Sequence, residues 1–148
     1  AVARLMAARL GWTWFDSDVE VELRAGKSIA ALFAEDGEPV FRDLEAEVVA
    51  RLAACDNAVL ALGGGAILRP QTRALLSKRA TIVWLTASPQ TLWERIQADA
   101  STAERRPNLS LAGGITEIVA TLAHREPIYR AAATVVFDTE HRARPYSP

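Results

Sequence analysis

The sequence predicts a single α/β domain with a mostly parallel β-sheet, and three observations support this fold class. Short apolar runs of strand length alternate along the chain with segments whose apolar residues recur at helical spacing. The chain has 148 residues, of which 50% are hydrophobic, so it can form one substantial core but not two ordinary domains. No internal repeat or linker-like stretch interrupts the alternation, so we expect residues 1–148 to form one domain.

The first third of the chain is predicted to contain four helices and one strand. Gly11, Gly26 and Gly37 each follow a helical pattern, and glycine is common just after a helix C-terminus. Ser28 has the residue type and position of an N-cap for the helix that follows Gly26. The predicted elements are a helix over residues 1–10, a strand over 12–15 and helices over 18–24, 28–36 and 38–54.

The rest of the chain is predicted to alternate strands with helices. An apolar run over residues 58–62 is followed by three glycines, which is typical of a buried parallel strand that leads into a tight loop. Residues 99–114 are polar and contain arginine and glycine, and we expect them to be mobile. The other predicted elements are helices that start at Pro70 and at Ser88, a strand over 81–85, a helix over 115–132 and a strand over 134–137.

Composition limits the classes of function. The formal net charge is −1, whereas a general nucleic-acid or membrane-surface binder needs a basic excess, so we expect neither partner. Fifteen of the 17 basic residues are arginine, which suits carboxylate and phosphate ligands, although an arginine-rich genome gives the same bias. A single cysteine, Cys55, excludes a disulfide framework, and no apolar run approaches the roughly 18 residues that cross a bilayer. We therefore expect a cytoplasmic, monomeric protein.

Two aspartates follow the first predicted strand. Asp16 and Asp18 stand where open α/β sheets bind their ligands, and this spacing can bring both carboxylates near one metal ion or one hydroxyl group. The alternative is that Asp18 only caps the next helix.

Three consecutive glycines, Gly63, Gly64 and Gly65, follow the strand predicted over residues 58–62. Because they have no Cβ atoms, a ligand can contact their backbone N–H groups directly. The alternative is that they form only a sharp turn between a strand and a helix.

Several arginines lie outside the regular elements or near their ends, namely Arg42, Arg105, Arg106 and Arg125. Each of them alone is typical of a solvated side chain. Together with the aspartates and the glycine run, they form the set expected for binding a polyhydroxylated acid and transferring phosphate to it.

Seven motifs, in order and spread over nearly the whole chain, resemble those of shikimate kinases. They are Phe-Asp-x-Asp at residues 15–18, Gly-x-Ser-Ile at 26–29, Gly-Glu-x-x-Phe-Arg-x-x-Glu at 37–45, Gly-Gly-Gly-Ala at 63–66, Arg-Pro-x-Leu at 106–109, Arg-x-Pro-x-Tyr at 125–129 and Asp-Thr at 138–139. The resemblance implies a P-loop kinase-like three-layer fold. It also implies transfer of the γ-phosphoryl group of ATP to the 3-hydroxyl of shikimate, with Mg²⁺ as cofactor, in aromatic amino acid biosynthesis.

The resemblance also implies roles for single residues on the shikimate side. Asp18 resembles the aspartate that binds the accepting hydroxyl and serves as base. Arg42 and Arg125 resemble the pair that binds the substrate carboxylate, and Gly64 resembles the glycine whose backbone hydrogen-bonds a hydroxyl. These roles suit phosphoryl transfer, in which positioning and charge neutralisation provide most of the catalysis.

On the nucleotide side, the resemblance implies three further roles. Asp16 resembles an outer-shell Mg²⁺ aspartate, and Arg95 resembles an arginine that lies against adenine. Arg106 resembles the arginine of a lid, here over about residues 99–114, that reaches the transferring phosphoryl group.

The phosphate-binding loop of the resembled family is not found in residues 1–148. Gly26-Lys27-Ser28 has the ending of the motif G-x-x-x-x-G-K-[ST], but its first glycine would be Val21, so we predict a turn and a helix cap there. We expect the sequence to start just after the loop and to lack the last helix and the first strand, which is central in the family's strand order 2-3-1-4-5. We therefore expect residues 1–148 alone to be inactive.

Two other interpretations remain open from the sequence. One is a related small-molecule kinase, such as a gluconate kinase, against which the context of Arg42 and Arg125 argues. The other is a non-catalytic kinase-like fragment that binds a ligand or partner but does not use ATP.

Overall fold

A computed structural model describes residues 2–99 and 114–140. The chain divides into two compact units, with the boundary in the sequence between Ala80 and Thr81. Each unit contains one pair of parallel strands together with helices. The predicted α/β alternation is confirmed in both units, whereas one domain over residues 1–148 stays a prediction.

In the described part of the first unit, five helices accompany two strands. They are α1 (Val2–Leu10), β1 (Thr13–Asp16), α2 (Ser17–Ala25), α3 (Ile29–Asp36), α4 (Glu38–Ala53), β2 (Ala58–Ala61) and α5 (Pro70–Arg79). Strands β1 and β2 are parallel, with Thr13 opposite Ala58 and Asp16 opposite Ala61. Because the strands run in register, the segments that follow them begin at the same edge of the sheet.

The predicted turn and cap between α2 and α3 are confirmed. Gly26 has the left-handed conformation with φ 71°, and its N–H donates to the Glu22 carbonyl. Ser28 Oγ accepts a hydrogen bond of 3.1 Å from the Ala31 N–H, which satisfies one of the free donors at the start of α3.

The core of the first unit lies where α2, α3 and α4 pack together. Its buried side chains are Val21, Ile29, Leu32, Phe41, Val48 and Leu52. The ring of Phe41 lies 4.9 Å from the ring of Phe33, measured between centroids. Burial of this cluster fixes α4, and so fixes the position of Arg42, which directly follows Phe41.

In the described part of the second unit, two strands accompany two helices. They are β3 (Val83–Thr86), α6 (Pro89–Ala98), α7 (Gly114–Ala132) and β4 (Val135–Asp138). Strands β3 and β4 are parallel, with Val83 opposite Val135 and Thr86 opposite Asp138. The family's strand order 2-3-1-4-5 counts the first strand, which residues 1–148 are expected to lack, so the strands β1 to β4 correspond to family strands 2 to 5. The pairs β1–β2 and β3–β4 therefore agree with the neighbours 2-3 and 4-5 of that order.

Both strands of this pair begin later than predicted. The sequence placed their starts at residues 81 and 134, but the Ile82 N–H donates to Thr134 Oγ1 at 3.1 Å instead of to a backbone carbonyl. The Thr134 and Val135 N–H groups both donate to the Ile82 carbonyl, at 2.8 and 3.0 Å, so side-chain and backbone bonds together precede the regular ladder. Within residues 2–99 and 114–140, no helix combines the length and apolar character needed to cross a membrane.

Candidate functional site

The first group of predicted site residues lies where β1 ends. Asp16 is the last residue of β1 and the N-cap of α2, and its Oδ1 accepts a hydrogen bond of 2.9 Å from the Asp18 N–H. The alternative that Asp18 caps this helix is wrong, because Asp16 has the extended backbone of a cap and Asp18 already lies within α2. The Asp18 carboxylate lies instead against Gly63.

The glycine run after β2 forms a turn beside this segment. The Gly63 N–H donates to the hydroxyl of buried Ser17 at 3.1 Å, which ties the glycine run to the start of α2. Ala66 N–H donates to the Gly63 carbonyl at 3.0 Å, and Leu68 N–H donates to the Gly65 carbonyl at 3.3 Å. The turn that the sequence left as an alternative is therefore present, and Asp18 is held next to it.

Arg42 contacts the other end of the glycine run. Its guanidinium lies against Gly65, and its Nη1 donates to Glu45 Oε1 at 2.9 Å. Glu45 is almost fully buried, with 5% of its side chain exposed, whereas Glu38, whose Oε1 lies 3.6 Å from Arg42 Nε, is half exposed. A buried carboxylate with a charged partner at hydrogen-bond distance fixes the orientation of the guanidinium.

A pocket of about 350 Å³ borders Arg42. Its lining combines two carboxylates and two guanidinium groups with small and apolar residues: Glu38, Pro39, Arg42, Glu45, Ala46, Gly65, Ala66, Leu68 and Arg69. Arg69 is already paired with Asp43 across 2.6 Å. Sequence reasoning missed Glu45 as a site residue, although it ends the motif at residues 37–45, because burial cannot be read from that motif.

In the second unit, Arg95 lies at the carboxyl ends of the strands. Its Nη1 donates to Thr139 Oγ1 at 2.8 Å, and the Thr139 hydroxyl in turn donates to the Thr86 carbonyl at 2.8 Å. Thr86 ends β3, and Thr139 directly follows β4. The predicted adenine-contacting arginine is thus held at the edge where parallel sheets bind ligands.

Glu140 makes a second contact network near Arg95. Its carboxylate accepts hydrogen bonds from the Ser88 N–H at 2.8 Å and from the hydroxyls of Ser88 and Thr91. These bonds lower the pKa of Glu140, chiefly through the Ser88 backbone N–H and then through the Thr91 hydroxyl. No local pattern in the sequence indicates this role, because residue 140 lies far along the chain from the start of α6.

The remaining predicted residues lie on α7 of the second unit or outside the described residues. Arg125 is half-buried on α7, and on the same helix Glu126 pairs with Arg130 at 2.6 Å. Arg105, Arg106 and lid residues 100–113 lie outside the described residues. Within the described ranges, no group of three or more acidic, histidine or cysteine side chains is placed to hold a metal ion.

The family model and the similar curated proteins all indicate the same family. The family model described as shikimate kinase matches residues 1–146. A shikimate kinase of Symbiobacterium thermophilum is 45% identical over 143 residues, which are 97% of this chain and 81% of that protein. A shikimate kinase of Rhodopirellula baltica is 41% identical over 141 residues, which are 95% of this chain and 75% of that protein.

Solved structures agree with the sequence comparison. The structure of shikimate kinase from Acinetobacter baumannii in complex with shikimate has a TM-score of 0.87 and 31% identity, and the match covers 95% of this chain and 76% of that one. Shikimate kinase from Bacteroides thetaiotaomicron gives a TM-score of 0.85 at 26% identity, with 97% and 81% covered. The predicted P-loop kinase-like α/β fold is therefore confirmed.

Proposed function

The chain belongs to the shikimate kinase family, and we propose that Asp18, Arg42 and Gly64 bind the shikimate that its reaction phosphorylates. The enzyme is an ATP-dependent phosphotransferase that transfers the γ-phosphoryl group of ATP to the 3-hydroxyl of shikimate. The hydroxyl oxygen forms a bond to the γ-phosphorus, the bond from that phosphorus to the bridging oxygen breaks, and the hydroxyl proton leaves as ADP is released.

One observation carries the assignment of the shikimate site. A carboxylate and a guanidinium lie against the two ends of one glycine run, Asp18 at Gly63 and Arg42 at Gly65. Shikimate is a polyhydroxylated acid, so it presents hydroxyl groups that suit a carboxylate acceptor and a carboxylate that suits a guanidinium. The arrangement therefore offers a partner for each polar group of this substrate class.

Asp18 orients the accepting hydroxyl and takes its proton. A carboxylate acts only as a hydrogen-bond acceptor when ionised, so it directs a lone pair of the hydroxyl oxygen away from itself and toward the phosphorus. Help of this kind contributes roughly 10²–10⁴ in rate.

Arg42 binds the substrate carboxylate. Its guanidinium already has the required orientation before the substrate binds. Glu45 and Glu38 contact its Nη1 and Nε, and a guanidinium has five N–H donors, so donors remain for the ligand. Because Glu45 already holds the side chain, less rotational freedom is lost when the carboxylate binds.

Three more arginines are assigned through the family resemblance. Arg125 is the second partner of the shikimate carboxylate, Arg106 neutralises charge on the transferring phosphoryl group, and Arg95 contacts adenine. The position of Arg95 at the carboxyl ends of β3 and β4 supports its assignment. The resemblance assigns the lid that carries Arg106 to about residues 99–114.

Mg²⁺ is the proposed cofactor, with Asp16 in its outer shell. Asp16 Oδ1 accepts from the Asp18 N–H, and the remaining lone pairs of the carboxylate can hold water molecules. Mg²⁺ usually keeps several waters and is bound through one or two carboxylates together with substrate phosphates. When bound, the ion supplies neutralising charge to the phosphate oxygens.

Assembly and location are proposed on simpler grounds. The side chains assigned above all come from one chain, so a monomer suffices, and light scattering in solution tests it. The ATP requirement favours the cytoplasm, which cell fractionation tests.

Calorimetric titration of shikimate and ATP into the purified full-length protein tests the site. Arg42→Ala should weaken shikimate binding by about 10-fold or more with little effect on ATP, since a carboxylate loses a charge-assisted partner. Arg51→Ala is the matched control, because Arg51 lies on the same helix and pairs with Glu20 at the surface. Unchanged shikimate affinity in Arg42→Ala, or faster turnover with gluconate than with shikimate, contradicts the proposal.

A further inference from the structure

The two outer residues of the glycine run have no role in the proposed binding of shikimate, which uses Gly64. Gly63 and Gly65 are absent from the described glycines with positive φ, which are Gly11, Gly26, Gly37 and Gly114. A positive φ therefore does not require glycine at either position. The atoms that surround the two glycines give a different reason for the lack of a side chain at these positions.

A side chain at Gly63 would displace the Asp18 carboxylate. A Cβ atom built at Gly63 lies 2.9 Å from Asp18 Oδ1, which is closer than the Cβ atoms of real side chains approach their neighbours. The backbone on both sides has little freedom to move, because Gly63 N–H is bonded to Ser17 Oγ and Asp18 N–H is bonded to Asp16 Oδ1. The carboxylate itself would have to rotate.

A side chain at Gly65 would displace the Arg42 guanidinium. A Cβ atom built there overlaps Arg42 Nη1 and lies 2.6 Å from Cζ and from Nη2. The guanidinium is the end of a long side chain, so it can move without unfolding the protein. Movement would break the 2.9 Å hydrogen bond to buried Glu45 and change the orientation of the group.

We propose that Gly63 and Gly65 are positioning residues, whose lack of a Cβ atom lets the Asp18 carboxylate and the Arg42 guanidinium lie against the glycine run. The inference rests on the proposed function, in which Asp18 contacts the accepting hydroxyl and Arg42 contacts the substrate carboxylate. The two glycines thereby set where a hydroxy acid must place its accepting hydroxyl and its carboxylate.

The two substitutions to alanine are expected to have different kinetic effects. Gly65→Ala should raise the dissociation constant for shikimate about 10-fold or more and change kcat at saturating shikimate by less than about 3-fold. Gly63→Ala should lower kcat about 10-fold or more, and because Asp18 also binds the accepting hydroxyl it should weaken shikimate binding by a smaller factor than it lowers kcat. Gly26→Ala is the control for general destabilisation, because a Cβ at Gly26 meets no atom within 4 Å although its φ is positive.

Double variants test whether the glycines act through their neighbours. In an Arg42→Ala background, Gly65→Ala should cause no further loss of shikimate affinity. If either glycine variant alone does not fold, Gly65→Ala with both Arg42→Ala and Glu45→Ala, or Gly63→Ala with Asp18→Ala, should restore a cooperative thermal transition, because the overlapping atoms are removed and buried Glu45 is not left without its partner.

The outcomes separate this inference from the proposed function. Three results would overturn the positioning role while leaving the site assignment intact. They are normal shikimate affinity in Gly65→Ala, a loss of affinity from Gly65→Ala that is the same with and without Arg42→Ala, and parallel changes of kcat and affinity in both glycine variants. Unchanged affinity in Arg42→Ala alone would overturn the site assignment.

Discussion

Arg42 donates a hydrogen bond of 2.9 Å to Glu45, and both side chains are largely removed from solvent. Glu45 lies one helical turn after Arg42 on α4, so the same helix supplies both members of the pair. A buried carboxylate of this kind stabilises the protein only while its cationic partner is present.

Glu45→Ala should therefore destabilise the protein and weaken shikimate binding together. Glu45→Ala leaves the largely buried Arg42 guanidinium with the longer contact of 3.6 Å to half-exposed Glu38. Breaking a buried ion pair costs up to about 3–5 kcal/mol in free energy of unfolding, and the contact to Glu38 offsets part of that cost. Urea denaturation and calorimetric titration measure the two effects. Glu47→Ala is the control on the same helix, because the pair of Glu47 with Arg24 is exposed and contributes about 0–1 kcal/mol. Equal effects of the two variants would contradict a special role for Glu45.

The Glu140 network predicts a pH dependence of stability in the acidic range. Hydrogen bonds from the Ser88 N–H and the Thr91 hydroxyl lower the pKa of Glu140 from its ordinary value of 4.5. The stabilisation is therefore complete above the pKa of the unfolded chain and is lost as the pH falls through the lower pKa of the folded state. Glu140→Gln should lower the melting temperature at pH 7, as measured by thermal unfolding. The difference in melting temperature between this variant and the native protein should become smaller as the pH falls toward 3. A pH-independent difference would contradict this prediction.

Much of the fold was predictable because local signals agreed with it. Gly26 and Ser28 mark a helix end and a helix start by their residue types alone, and the structure places both as predicted. The strand starts were less accurate, because the hydrogen bond between Ile82 and Thr134 joins residues far apart in the sequence.

The site was predictable only as a set of residue types. The motifs identified Asp18 and Arg42, but the capping role went to Asp16 because the helix starts one residue earlier than predicted. Burial of Glu45 and the contact of Ser17 with Gly63 depend on tertiary packing, which no local pattern encodes.

Arg125→Ala should weaken shikimate binding far more than ATP binding. A substrate carboxylate that loses one of two charge-assisted partners forfeits roughly 1.5–3 kcal/mol. Titration of both ligands measures the difference. Arg130→Ala is the control on the same helix, because Arg130 pairs with Glu126 and stacks over Trp84. Equal losses for shikimate and ATP in Arg125→Ala would make Arg125 a structural residue.

The two aspartates at the end of β1 should respond differently to substitution. Asp18→Asn keeps the size of the side chain but removes the charge that accepts the hydroxyl proton, so kcat should fall by roughly 10²–10⁴ with an unchanged circular dichroism spectrum. Asp16→Ala removes the N-cap of α2 and should lower the free energy of unfolding by about 0.5–2 kcal/mol. Measurement of kcat at saturating Mg²⁺ and of urea denaturation on both variants separates the two roles, because loss of the proposed outer-shell contact of Asp16 should raise the Mg²⁺ concentration that activity requires. Near-normal turnover in Asp18→Asn would remove the proposed base from the reaction, whereas full stability in Asp16→Ala would contradict the cap.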